Sequence, residues 1–165
     1  MNSETIQASI RLWQEDPGKA KVKPVVKGHN DGAQVVLETG SFSWRSDLPP
    51  SLGGTNTAPS PTAFLLGALV GCSVAFIRDT LAPQLGVQVE SVEAVAQCEA
   101  DFRGALGLDG VASDLQNIQL TIKVQSPDSE ESVQKLYQAW QERCPIYLAL
   151  INPTHIATEF EINGI

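Results

Sequence analysis

Three cysteines, Cys72, Cys98 and Cys144, are the residues of this 165-residue chain whose chemistry reaches beyond packing. A thiolate is a strong nucleophile and two thiols can trade a pair of electrons as a disulfide, so the question is which of the three has a setting that activates sulfur. Cys98 lies on the apolar side of an alternating run and reads as a small buried hydrophobe. Cys72 shares a helix face with Leu65, Leu69 and Phe76, a spacing that also fits an ordinary core residue. A mid-helix thiol gains little from the helix dipole, so reactivity there needs a cation from elsewhere, and arginine keeps its charge best when partly buried. Cys144 precedes Pro145, a proline suited to open a helix. Its sulfur then faces the unpaired N–H groups that lower a thiol pKa; the alternative is a simple chain reversal at Cys-Pro.

Composition narrows the partners. The chain is 42% hydrophobic and 18% charged, which fits one globular domain and excludes a disordered polymer. A net charge of −8 speaks against a nucleic-acid footprint, since phosphate contacts need a basic patch, and points to a small molecule or a second copy. Residues 1–45 carry six basic and five acidic groups, the remainder five and fourteen, so the two stretches attract each other weakly. Lys19, Lys21, Lys23 and Lys27 read as solvated lysines on an edge strand. The widely spaced cysteines are neither a secreted disulfide scaffold nor a zinc motif, and Met1 to Ile10 lacks the pattern of a signal peptide, so a reducing cytoplasm is expected. His29 and His155 are isolated and read as surface histidines. No metal and no cofactor is expected.

The elements that must position these thiols follow from periodicity. Ile6, Ala8, Ile10 and Leu12 alternate with polar residues and predict a strand over 5–13; a second is expected over 21–27. His29-Asn30-Asp31-Gly32 supplies a turn, and extended runs follow at 33–37 and 41–44, so residues 1–45 read as an antiparallel meander. Residues 46–60, rich in Pro and Gly, read as a linker, and the remainder, 61–165, as the rest of a single domain. Ser60-Pro61 signals a helix start, and Ala63 to Ile77 follows without a charge, apolar on every face. That implies burial all round; Arg78-Asp79 closes the run short of the ~20 residues of a membrane span. Strands are expected over 92–102 and 118–124, an amphipathic helix from Ser129-Glu130-Glu131 to Cys144, a short helix over 146–151 and a last strand through Ile156, Thr158, Phe160 and Ile162. The class is α+β with antiparallel sheets, and the all-apolar helix needs cover from a second sheet, its own or a partner's.

Gly53-Gly54-Thr55-Asn56, Pro59-Ser60-Pro61, the run Leu65 to Cys72, Gly86-Val87, Glu99-Ala100-Asp101-Phe102, Ile118 to Val124 and Arg143-Cys144-Pro145-Ile146 together resemble the OsmC/Ohr family of osmotically inducible and organic hydroperoxide resistance proteins. The likeness covers roughly residues 40–160, nearer the broad OsmC-like branch, and the two cysteines in two helices are its most specific part. It implies an intertwined homodimer in which antiparallel sheets from both subunits wrap two long central helices. It also implies a thiol peroxidase, with Cys72 as the peroxidatic residue and Cys144 as the resolving one. An organic hydroperoxide would be the substrate, received by Leu65, Leu69 and Phe76, and a dithiol or lipoyl-type group the reductant. No membrane or nucleic-acid partner is implied.

Pro61-Thr62 stands where the hydroperoxide-resistance branch has Pro-Glu, whose carboxylate orients an activating arginine. Arg45 and Arg11 are the candidates for that arginine. Thr62 also keeps open a second reading, an OsmC-like stress or small-molecule-binding protein with little turnover, and a third, a dimer with inert thiols.

Overall fold

The computed structural model describes residues 3–152 and 155–162. Its first element is a helix, α1 (Ser3–Glu15), where alternation predicts a strand. Ile6, Ile10 and Trp13 are also spaced i, i+4, i+7, so the run satisfies both periods, and its Gln, Arg, Leu and Glu residues favour the helix. No residue of α1 is buried; it rests on the short helix α3 (Ala82–Leu85) and has no strand beside it to pair with.

The meander is real but starts later than expected. Residues 21–26 form no strand, and Lys19, Lys21 and Lys23 lie exposed ahead of β1 (Lys27–Asp31), so only Lys27 belongs to a strand. The chain reverses at Gly32, whose φ of 63° suits glycine, into β2 (Gln34–Thr39), and at Gly40 into β3 (Phe42–Ser46). All three pair antiparallel in the order β1-β2-β3.

The Pro- and Gly-rich stretch after β3 contains one 3-10 turn (Pro50–Leu52) and is otherwise fastened by Asp47, whose carboxylate is only 3% exposed. It accepts hydrogen bonds from the N–H of Leu48 and from both the N–H and the hydroxyl of Thr55 and of Thr57, at 2.6–3.3 Å. These bonds hold the carboxyl well below the usual carboxylate range, the Thr55 hydroxyl first among them. Gly54 is required, because a Cβ there would meet the Leu48 carbonyl oxygen at 2.0 Å. The Pro59 carbonyl accepts from the Asp47 N–H and the Ser46 hydroxyl, tying the meander to the helix that follows.

That helix, α2 (Pro61–Ala75), opens as expected, with the Ser60 hydroxyl accepting from the Ala63 N–H at 3.2 Å, a cap worth ~1 kcal/mol. It runs on through a π-helical turn (Phe76–Leu81) into α3, and Gly86, at φ 68°, ends it. The continuous 61–85 helix is long and apolar enough by itself to cross a bilayer. Its packing is that of a core helix: Leu69, Ser73, Ile77 and Leu81 form a buried stripe, and the Ser73 hydroxyl is satisfied by the Leu69 carbonyl at 2.7 Å. The expectation of burial on every face fails within one chain. Ala63, Gly67, Ala68, Gly71 and Ala75 are exposed, because one chain supplies elements for only one side of the helix.

β4 (Ser91–Glu99) and β5 (Gln116–Gln125) form a separate two-stranded antiparallel sheet, with Val92, Ala94, Ala96 and Cys98 on its half-buried face opposite Val124, Ile122 and Leu120. β4 ends before Phe102, which lies in a helical turn, α4 (Phe102–Ala105), capped by Asp101. The Arg103 guanidinium on Asp101 holds that carboxyl down at about 2.

α5 (Glu130–Arg143) is capped by Ser129 and α6 (Pro145–Ile151) begins one residue after it ends. Leu136, Ala139 and Trp140 of α5 close on Ile77, Leu81 and Ala82 to make the core, and each fully buried Leu or Ile there contributes ~1.5–3 kcal/mol. The last strand is not formed. Residues 155–162 pair with nothing, and Ile156, Phe160 and Ile162 are 80%, 90% and 81% exposed. The architecture is α+β with antiparallel sheets.

Candidate active site

Two helix geometries bring two of the cysteines together. Cys72 sits in the third turn of α2, beside the buried stripe and half-buried itself. Cys144 closes α5 and opens α6: its N–H donates to the Trp140 carbonyl and its own carbonyl accepts from the Leu148 N–H, both at 2.9 Å. Held by two helices at once, and fully buried, Cys144 has little freedom. Its Sγ lies 3.3 Å from the Sγ of Cys72, with the thiol proton between them. The residues are 72 apart in sequence, and a disulfide needs only a further approach of the sulfurs to ~2.05 Å. Cys98 is on the half-buried face of β4 and takes no part in this contact.

The α6 N-terminus acts on a different sulfur from the one its sequence position suggests. Cys144 caps α6 by position but makes no side-chain capping bond. The Ile146 N–H, one of the free donors at that helix start, is directed at Cys72 instead. It pulls the Cys72 thiol down, but burial pushes the thiol up more strongly, and the proton shared with Cys144 and the charge on that sulfur push it the same way; the net effect is a Cys72 thiol above its ordinary value. At rest this is a protonated, paired thiol.

The two candidate arginines lie elsewhere in this chain. The Arg45 guanidinium, on β3, donates to Asp31 at 2.8 Å and Gln34 at 2.7 Å. Arg11 is exposed on α1. Among the described residues no arginine hydrogen-bonds Cys72; Arg143, next to Cys144 in sequence, donates to Gln84 at 3.2 Å.

Beside the thiols lies a cavity of about 650 Å3 between β5, α5 and α6, within the size range of small-molecule pockets. Leu69, one turn before Cys72, lines it. Of the other residues expected to receive substrate, Leu65 is 36% exposed on the open side of α2, and Phe76 packs against the core. The wall the residue reading missed is aromatic: Trp140 stacks on Tyr137 at 5.8 Å and meets Tyr147 at 4.7 Å. Tyr137, Trp140 and Tyr147 at i, i+3, i+10 were visible as helix positions, but only the α5–α6 bend makes them one surface. His29 lies exposed in β1 and His155 exposed in the unpaired segment, apart from the thiol pair.

A model of the OsmC-like protein family matches residues 54–159, which takes in both helices and both cysteines and leaves out α1 and the meander. No curated protein matches the sequence. Among solved structures, the chain resembles an OsmC-like protein from Mycoplasma pneumoniae, with a TM-score of 0.67 and 20% identity over 81% of this chain and 90% of that one. It also resembles an organic hydroperoxide resistance protein OsmC from Legionella pneumophila (TM-score 0.60, 19% identity, 79% and 90% covered). A third is an organic hydroperoxide resistance protein from Elizabethkingia anophelis (TM-score 0.61, 13% identity, 81% and 91% covered). At these identities the structures speak for the fold, and the family match for descent: the chain belongs to the OsmC-like family.

Proposed function

We propose that the protein is a cysteine-based peroxidase that reduces organic hydroperoxides through Cys72 and Cys144. The observation that carries this reading is the 3.3 Å contact between two sulfurs held by separate helices. The Cys72 thiolate attacks the outer oxygen of the hydroperoxide, the O–O bond breaks, and the leaving alkoxide takes a proton to become an alcohol. Cys72 is then a sulfenic acid. The Cys144 thiolate attacks that sulfur, hydroxide leaves and is protonated to water, and an intramolecular disulfide remains. An external dithiol, of which a lipoyl-type group is one, returns both thiols by exchange. No cofactor enters the cycle, and a reducing cytoplasm suits it.

Attack requires a Cys72 thiolate, and burial opposes one. The Ile146 N–H helps, and a cation would complete the activation. We assign the cation to a second copy of the chain, which would lay the exposed face of α2 against its own and bring in Arg11 or Arg45 from the N-terminal region. The open stripe of Ala63, Gly67, Gly71 and Ala75 supports such a homodimer, because small residues let helices approach closely. Leu65 and Phe76, with Leu69, would then face substrate across the interface.

Consumption of an organic hydroperoxide in the presence of a dithiol tests the proposal. Wild type should turn over, Cys72→Ser should lose activity by orders of magnitude, and Cys144→Ser should stop after one turnover with a sulfenic or higher acid on Cys72. Full turnover by Cys72→Ser would sink the assignment. A second reading, an OsmC-like stress or small-molecule-binding protein, is favoured by the raised Cys72 thiol and by Thr62 in place of a carboxylate. It predicts binding of apolar ligands with negligible turnover in all three proteins.

A further inference from the structure

The cavity beside the thiols is lined along β5 by Leu120 and Ile122, whose side chains point inward, and also by Thr121, which points outward. Successive residues of a strand face opposite ways, so a space bordered by both sets runs along the strand's edge. That edge is free: β5 pairs only with β4, and its other side presents unpaired backbone donors and acceptors. An apolar cavity that borders a free strand edge is shaped for an extended segment with apolar residues on alternate positions.

Such a segment is tethered at its rim. Leu150 and Ile151, at the end of α6, line the same cavity, and Ile156 follows five residues later, within ~17 Å of extended chain. Residues 155–162 place Ile156, Thr158, Phe160 and Ile162 on one side and Ala157, Glu159 and Glu161 on the other. The first side carries three large hydrophobics that water surrounds almost completely. The second meets the face on which β5 carries Lys123.

We propose that residues 155–162 form a strap that docks as a third strand on the free edge of β5 in the same chain and closes the cavity beside Cys72 and Cys144. The short tether favours the chain's own segment over a second copy's, because it gives a high effective concentration. Docked, the strap places Ile156 or Phe160 over Leu120, Ile122 and Tyr137, and an apolar ligand enters only when the strap is off. This holds whether or not the thiols turn over peroxide.

Hydrogen exchange of the full chain, read by mass spectrometry over 116–125 and 155–162 at several protein concentrations, decides it. In wild type, amides of 155–162 should exchange at least ~10-fold more slowly than in an unstructured chain, at every concentration. Ile156→Asp with Phe160→Asp should abolish that protection, speed exchange in 116–125 and raise binding of the apolar dye anilinonaphthalene sulfonate, while α5 stays protected. Ala157→Asp, on the outward side, should change none of these. Unprotected 155–162 in wild type would overturn the proposal by itself, without recourse to any variant. So would protection that disappears on dilution, which would assign the strap to a second copy.

Discussion

The stretch from Asp47 to Ser60 and the stretch from residue 155 to residue 162 invert what their sequences advertise. The first is dense in proline and glycine and reads as a passive linker, yet it is fixed by a buried carboxylate with five donors. The second has clean alternation and reads as a strand, yet pairs with nothing. The difference lies in where the partners are. Every donor to Asp47 lies within ten residues of it, so closing the loop costs little entropy, whereas a strand satisfies its backbone only on another strand's edge.

Substitutions in the two stretches should separate these cases. The largest loss is expected for Asp47→Ala, which orphans the N–H groups of Leu48, Thr55 and Thr57 at once; thermal unfolding should show a fall in Tm greater than for either substitution below. The acid response carries the same sign. The Asp47 carboxyl is held below its unfolded value, so its stabilisation is in full force above ~pH 4 and fades as pH falls below that, and Asp47→Ala should flatten the acid limb of the stability profile. Gly54→Ala comes next, at ~1–3 kcal/mol by urea unfolding, because the new Cβ collides with backbone that has nowhere to move. Phe160→Ala should cost ~1 kcal/mol, the scale of one cross-strand contact. A Phe160→Ala loss larger than that of Asp47→Ala would reverse the comparison.

How much was legible follows the same division. Ser60-Pro61, Ser129-Glu130-Glu131 and Cys144-Pro145 mark helix ends through bonds to neighbouring residues, and each stands where the sequence places it. The alternation of Val92 to Cys98 reports a face, and that face is half-buried as expected. The 5–13 run failed because Ile6, Ile10 and Trp13 fit either period, and only the lack of a neighbouring strand decides for helix. At the site, residue spacing alone left both Cys72 and Cys144 undecided, and the family resemblance paired them. That the Ile146 donor serves Cys72 rather than Cys144 depends on how α2 crosses the start of α6, which no local pattern encodes. The aromatic cavity wall is equally a product of the α5–α6 bend.

The π-helical turn after Cys72 has a consequence for the whole 61–85 helix. Leu69, Ser73, Ile77 and Leu81 recur at strict intervals of four, and in an α-helix of 3.6 residues per turn each such step would slew the stripe by ~40°. Over three steps the lower residues would have rotated out of phase with the upper ones and left the core. The wider turn at Phe76–Leu81 takes up an extra residue and resets that phase. A helix apolar on nearly every face thus keeps a single heading, and the side on which Cys72 meets Cys144 stays aligned with the side that α5 covers.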